Sequence, residues 1–140
     1  MRHRRKPRLL HQKPDQADKI LRNLATSLIL YESVKTTKNR ARAVQPFIEK
    51  LFSSVRGKDA QVAIRRLNRT LPDRLASRKV MEVLRERFAD RRSGLTRITA
   101  LGFRGGDGAS LVRISFVESG TPKPSSSSPA APPSAKRSKP

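Results

Sequence analysis

Apolar residues recur three and four positions apart through most of the chain before its first glycine-rich stretch, the period of helices that bury one face. Starting from Asp15, whose carboxylate can cap a first turn, Ala17, Ile20, Leu21, Leu24, Ala25 and Leu28 form one stripe that ends near Leu30. Lys19, Arg22, Asn23 and Thr26 fall on the opposite side. Ser33-Val34-Lys35-Thr36 is a short strand candidate. Thr37 then suits the N-cap of a second helix, with Ala41, Val44, Ile48, Leu51, Phe52 and Val55 facing inward and Gly57 as its stop. Pro46 lies inside that helix and is expected to bend or divide it, because its ring removes a backbone donor and crowds the preceding turn.

Pro72 separates two further helical stretches. One starts near Asp59, with Val62, Ala63 and Leu67 as its buried positions. The other runs from about Asp73 to Phe88, with Leu75, Ala76, Val80, Val83, Leu84 and Phe88 on its apolar side. Beyond Gly94 the period drops to two. Thr96 to Phe103 and Leu111 to Val117 read as strands, joined by Arg104-Gly105-Gly106-Asp107-Gly108 as a tight hairpin turn. A lone hairpin is too small to be stable, so the early strand is expected to join it.

The fold class is thus α+β (α/β in the wider sense): helix, strand, three helices and a β-hairpin, with a small three-stranded mixed sheet packed against the helices. Residues 15–118 form this core. Residues 1–14 precede it as a basic arm. Residues 119–140 follow as a Pro-, Ser- and Lys-rich tail holding six of the 10 prolines (122, 124, 129, 132, 133 and 140), with too little apolar surface to fold, so disorder is expected there.

Charge adds a partner to this picture. Lys and Arg number 32 against 11 Asp and Glu, a net +21 on 140 residues, and the isoelectric point is near 11.8. So much charge of one sign repels itself and calls for a polyanion, nucleic acid first and an acidic membrane surface second. Charge alone does not separate RNA from DNA. Hydrophobic residues make up 35%, lean for a domain of this length, so a small core is expected and binding should supply part of the order. With 0 Cys, disulfides and thiolate metal sites are excluded. No apolar run approaches the roughly 20 residues of a membrane span, and no apolar signal region follows the basic start, so a cytoplasmic protein is expected.

Three cationic constellations are candidates for phosphate contact. The arm holds Arg2, His3, Arg4, Arg5, Lys6 and Arg8 without one acid, and Arg forks grip phosphate in a two-pronged way. The second, Lys35-Thr36-Thr37-Lys38-Asn39-Arg40-Ala41-Arg42, spans a strand end and a helix start, where free backbone N–H groups favour an anion. A purely capping Thr37 is compatible with that role. The third joins Arg91, Arg92 and Arg97 with Arg104 before the hairpin turn, and Arg22 adds a cation on the polar side of the first helix. The turn glycines lack the Gly-Lys-Ser/Thr ending of a P-loop and join strand to strand, which favours a hairpin over a phosphate cradle.

An enzyme finds little support. The 2 histidines, His3 and His11, lie in the arm, where nothing holds them for acid–base work or for a metal. Glu82 and Glu86 sit one helical turn apart, but Arg85 and Arg87 beside them indicate surface salt bridges. No catalytic residue, cofactor, metal or small-molecule substrate is expected. Aromatics amount to 4%, which argues against a base-stacking platform. On the residues alone, a DNA-compacting protein remains the alternative, with a basic RNA-processing enzyme behind it.

Four motifs stand in order: Met1-Arg2-His3-Arg4; Val34-Lys35-Thr36-Thr37 continued by Lys38-Asn39-Arg40-Ala41-Arg42-Ala43; Gly94-Leu95-Thr96-Arg97-Ile98; and Phe103-Arg104-Gly105-Gly106-Asp107. Together they resemble the seventeenth protein family of the bacterial large ribosomal subunit, over residues 1 to about 118. Pro7 stands where that family usually has Gly, His11-Gln12 where it has Asn-Arg, and Leu95 where it has Tyr. The resemblance implies a small mixed sheet with helices and a basic arm. It also implies binding to large-subunit ribosomal RNA beside neighbouring large-subunit proteins, on the solvent side near the peptide exit region. RNA is thereby preferred over DNA, and the role implied is structural, in support of translation. The tail from Ser119 exceeds the usual family end and inherits no role.

Overall fold

The computed structural model describes residue 10 and residues 13–117, so the expectations for most of the arm and for the tail lie outside the described residues. Within them the chain forms α1 (Pro14–Tyr31), β1 (Ser33–Thr37), α2 (Lys38–Val55) and α3 (Ala60–Thr70). Then α4 (Arg74–Lys79) runs through a π-helical segment, Val80–Leu84, into α5 (Arg85–Arg87), and β2 (Thr96–Phe103) and β3 (Ser110–Phe116) close the fold. This is the α+β order that the hydrophobic period predicts.

Local details depart from expectation for local reasons. The N-cap of α1 is Lys13, not Asp15: Pro14 takes the first helical position, where its fixed φ fits and its missing N–H has no partner to lose, and Asp15 sits in the first turn. Pro46 does not divide α2, which runs unbroken from Lys38 to Val55. The donor it removes belongs to an exposed stretch of helix, where water can serve the freed carbonyl. Asp73 caps α4 as its position predicts, its Oδ1 accepting from the Leu75 N–H at 2.8 Å.

The π-helical segment follows from the spacing of the apolar residues. Ala76, Val80, Leu84 and Phe88 are all at most 1% exposed, and each is four positions from the next. Four residues overshoot one α-helical turn by about 40°. A segment of wider turns falls short instead, so passing through one returns these residues to the same line. The same change of winding leaves Val83, expected inside, 42% exposed. Leu75 and Val62 are also exposed, since they lie at the edges of their stripes beyond the reach of the packed neighbours.

The sheet is antiparallel throughout rather than mixed. Its order is β1-β3-β2, with Val34 opposite Ile114, Ile98 opposite Ile114 and Thr96 opposite Phe116. β1 and β2 point the same way, and a parallel pair would arise only if they were neighbours. β3 lies between them because it folds back from β2 and offers its free edge to β1. Val34, Thr36, Ile98, Val112, Ile114 and Phe116 face the helices, which cover this one side. The core joins them to Leu28 and Ile29 of α1, Val44, Ile48 and Phe52 of α2, and Val80, Leu84 and Phe88.

Candidate nucleic-acid interface

The other side of the sheet is polar and basic. Residues paired across antiparallel strands share a face, and Lys35, Arg113 and Thr99 form one row, each opposite the next, while Ser33, Ser115 and Arg97 form the adjacent row. Lys35, Arg97 and Arg113 are exposed, and none of the three strands carries an acid. Like charges directly opposite one another destabilise a sheet, so Lys35 and Arg113 face each other at a cost that an anion between them would remove. Arg113 is absent from the sequence-based set. Its signal is the alternation of Leu111 to Val117, which turns Arg113 outward whenever Val112 and Ile114 turn in.

Two cations of the second constellation stand on α2. Lys38 and Arg42 are four residues apart on one side of the helix, both exposed, and Arg40 points elsewhere into solvent. The first turn of α2 holds no acid, and Thr37, though in the N-cap position, makes no side-chain capping bond. Cations at a helix start oppose the helix dipole, so this turn too is left without its ordinary counter-charge. Thr36 does not belong to this surface. It is 8% exposed and faces the helices, because it alternates with the outward Lys35.

Arg104 is exposed and pairs within the hairpin turn. Its Nε donates to Asp107 Oδ1 at 2.8 Å, and its Nη2 is paired with the second carboxylate oxygen. Asp107 also accepts from the Ala109 N–H at 3.4 Å. The Arg104 guanidinium, and then the Ala109 N–H, hold the Asp107 carboxyl down at about 2, and Asp107 in turn raises Arg104. The pair braces the hairpin turn and cancels one positive charge there. Arg22 is exposed on the polar side of α1, and Arg92 is exposed in the loop before β2. Arg2, His3, Arg4, Arg5, Lys6 and Arg8 lie outside the described residues, as does His11.

Several other cations serve the fold. Arg56 donates to the Phe88 carbonyl at 3.0 Å and also to the Arg91 carbonyl, tying the end of α2 to the loop before β2. Arg85 reaches the Lys58 carbonyl at 3.2 Å, and Arg87 pairs with Glu32 rather than with Glu82 or Glu86. Among the described residues Glu82 pairs with Arg78, at 3.7 Å on an open surface. Among the described residues no three His, Asp or Glu gather as metal ligands, and no helix is long and apolar enough to cross a membrane.

Fold and surface together define a class: a small basic α+β domain whose antiparallel sheet has one face packed on helices and one face lined with cations. The family model for ribosomal protein L17 matches residues 20–117, and the chain belongs to that family, whose members are structural, non-enzymatic components of the large ribosomal subunit in the cytoplasm. It is 40% identical over 118 residues to the large ribosomal subunit protein bL17 of Gemmatimonas aurantiaca, covering 84% of this chain and 98% of that one. The bL17 of Thermomicrobium roseum is 38% identical over 117 residues, covering 84% and 99%, and that of Rickettsia typhi 36% over 119 residues, covering 84% and 85%.

Proposed function

We propose that the chain binds large-subunit (23S-type) ribosomal RNA through the cationic face of its sheet, the start of α2 and the basic arm, with other large-subunit proteins as neighbours. The observation that carries this reading is the facing pair Lys35 and Arg113, joined by Arg97, on strands without a carboxylate. A backbone of phosphates offers the counter-charge that the chain itself withholds there. Base-specific contact is not needed: phosphate contacts fix register and orientation, which is what a structural constituent requires.

Each phosphate neutralised releases counterions, so affinity falls linearly with salt on logarithmic axes, with a slope set by the number of contacts. Binding of the full chain to a large-subunit rRNA fragment across a salt series should therefore show a steep slope. Changing Lys35, Arg97 and Arg113 together to Ala should flatten it by about two to three units. The helices should survive, because all three side chains are exposed. An unchanged slope in a folded triple variant, or equal affinity of the wild type for duplex DNA, would overturn the proposal.

A further inference from the structure

Phe103 is 78% exposed, whereas Phe52, Phe88 and Phe116 lie together in the core and Phe47 is half-buried. Phe103 is thus the phenyl ring left open to solvent, and the backbone that carries it is closely held. It follows a β-bulge between Ala100 and Gly102, where Gly102 adopts a φ of 122° that suits only glycine. It is paired with Ser110 and stands beside the turn braced by Arg104 and Asp107. A fixed backbone under the ring limits the freedom lost to the side chain's own rotation when something stacks on it.

The helices cover only part of the sheet. Along the inner side of β2, exposure rises from the buried Thr96 through the half-buried Ile98 to the open Ala100 and Phe103. The uncovered end forms a groove of about 510 Å³, with Phe103, Ala100 and Val112 on one wall. Lys38, Arg42 and Gln45 form the other, at i, i+4 and i+7 on one side of α2.

We infer that this groove seats one unpaired nucleotide of the bound RNA, its base stacked on Phe103 and its phosphate held by Lys38 and Arg42. The inference rests on the RNA-binding reading above and adds a specific subsite to it. An apolar side chain from a neighbouring protein would cover the ring but leave two like charges, one helical turn apart, unanswered. Phosphates of a continuous duplex would answer the charges, yet paired bases cannot reach the ring. An unpaired nucleotide supplies both a π-face and an anion, the combination by which looped-out RNA bases are usually bound. Gln45, whose amide nitrogen reaches the Thr96 carbonyl only at 3.5 Å, retains hydrogen-bonding capacity for a base edge. Scarcity of aromatics argues against a platform for many bases; one ring is enough for one.

The test is binding of full-length wild type, Phe103→Ala, Phe103→Trp and Lys38→Ala/Arg42→Ala to large-subunit rRNA, with nucleotide-resolution probing of the complexes and circular dichroism as the folding control. Phe103→Ala should weaken binding between about five- and a hundredfold with the salt slope unchanged, the range for losing one base–aromatic stack. One unpaired nucleotide protected by wild type should become reactive, and Phe103→Trp should restore its protection. The double cation variant should instead flatten the slope by about two units. Wild-type affinity in a folded Phe103→Ala, with no nucleotide changed, would overturn the subsite while leaving RNA binding intact. So would normal RNA binding coupled to failed joining of the subunit, since a protein neighbour would then occupy the groove. If wild type fails to bind rRNA at all, the broader reading falls first.

Discussion

Glu32 and Arg87, 55 positions apart in the chain, meet in a two-pronged ion pair, with Nη1 2.8 Å from Oε2 and Nη2 3.5 Å from Oε1. Lys79 Nζ joins at 3.0 Å from Oε1 and also donates to the Leu30 carbonyl at 2.9 Å. Glu32 itself ends α1 at a φ of 60°, and its carbonyl accepts from the Phe116 N–H at 3.1 Å. One residue thus ties the end of α1 to the α4–α5 rod and to β3, which fixes the angle at which β1, and with it Lys35, leaves the helix.

The ion pair and the backbone strain at Glu32 can be separated. Glu32→Gln should destabilise the chain by about 1 kcal/mol, no more, since the carboxylate is 39% exposed and water screens it. Glu32→Ala and Glu32→Gly both lose the pair, but only glycine is at ease at a positive φ. Glu32→Gly should therefore be more stable than Glu32→Ala by about 1 kcal/mol. Urea melts of the three variants measure this, and equal midpoints for Ala and Gly would contradict it.

Acid should weaken the same junction. Arg87 first and then Lys79 lower the Glu32 carboxyl from its ordinary 4.5. A depressed carboxyl contributes stability that is fully present above the ordinary value and is lost as pH falls through the depressed one. The stability gap between wild type and Glu32→Gln should hold at neutral pH and shrink as pH falls below the ordinary 4.5. A gap that stays constant down to pH 2 would rule the pair out as its source.

The hairpin turn should titrate separately. Asp107 is expected to take up its proton near 2 instead of 3.8, with Arg104 as the main cause, so its contribution to turn order persists above 3.8 and disappears as pH falls through about 2. Side-chain carboxyl NMR shifts report this directly. In an Arg104→Ala variant the midpoint should move back toward 3.8.

Phe88 is the heaviest single load in the core. Its ring lies 5.9 Å from Phe52, nearly perpendicular at 87°, and 5.5 Å from Phe116, so it joins α2, the end of α5 and β3. Phe88→Ala should cost about 3–5 kcal/mol by thermal or urea unfolding, against the 5–15 kcal/mol that holds a typical domain together. A loss below about 1 kcal/mol would mean that the cluster repacks around the gap.

Charge in the arm predicts a salt effect independent of the fold. Changing Arg2, Arg4, Arg5, Lys6 and Arg8 to Ala should flatten the salt slope of rRNA binding by several units with helix content unchanged. Removing the residues after Gly120 should leave assembly into the large subunit intact. An unchanged slope would leave the cationic sheet face to carry binding without the arm.

Secondary structure was legible in the chain because it depends on residues near each other in sequence. The periods of 3.6 and 2 place α1, α2, the start of α3, the helical stretch from Asp73 to Phe88 as one piece and the hairpin within a residue or two, though not the π-helical segment inside that stretch, and the motifs from Val34 to Ala43 and from Phe103 to Asp107 carry the family likeness. The basic character that points to a polyanion is likewise a plain sum over residues. Pairing and covering are not local. Only the tertiary structure put β3 between β1 and β2, making the sheet antiparallel, and so brought Arg113 beside Lys35 while turning Thr36 inward. It also paired the exposed Arg104 with Asp107, so that one positive charge at the turn is offset. And it stopped the helix layer short of the hairpin, leaving Phe103 uncovered across from Lys38 and Arg42. A hydrophobic period says that a residue has an apolar face to hide; which surface arrives to hide it, and how far that surface reaches, depends on elements far away in the chain.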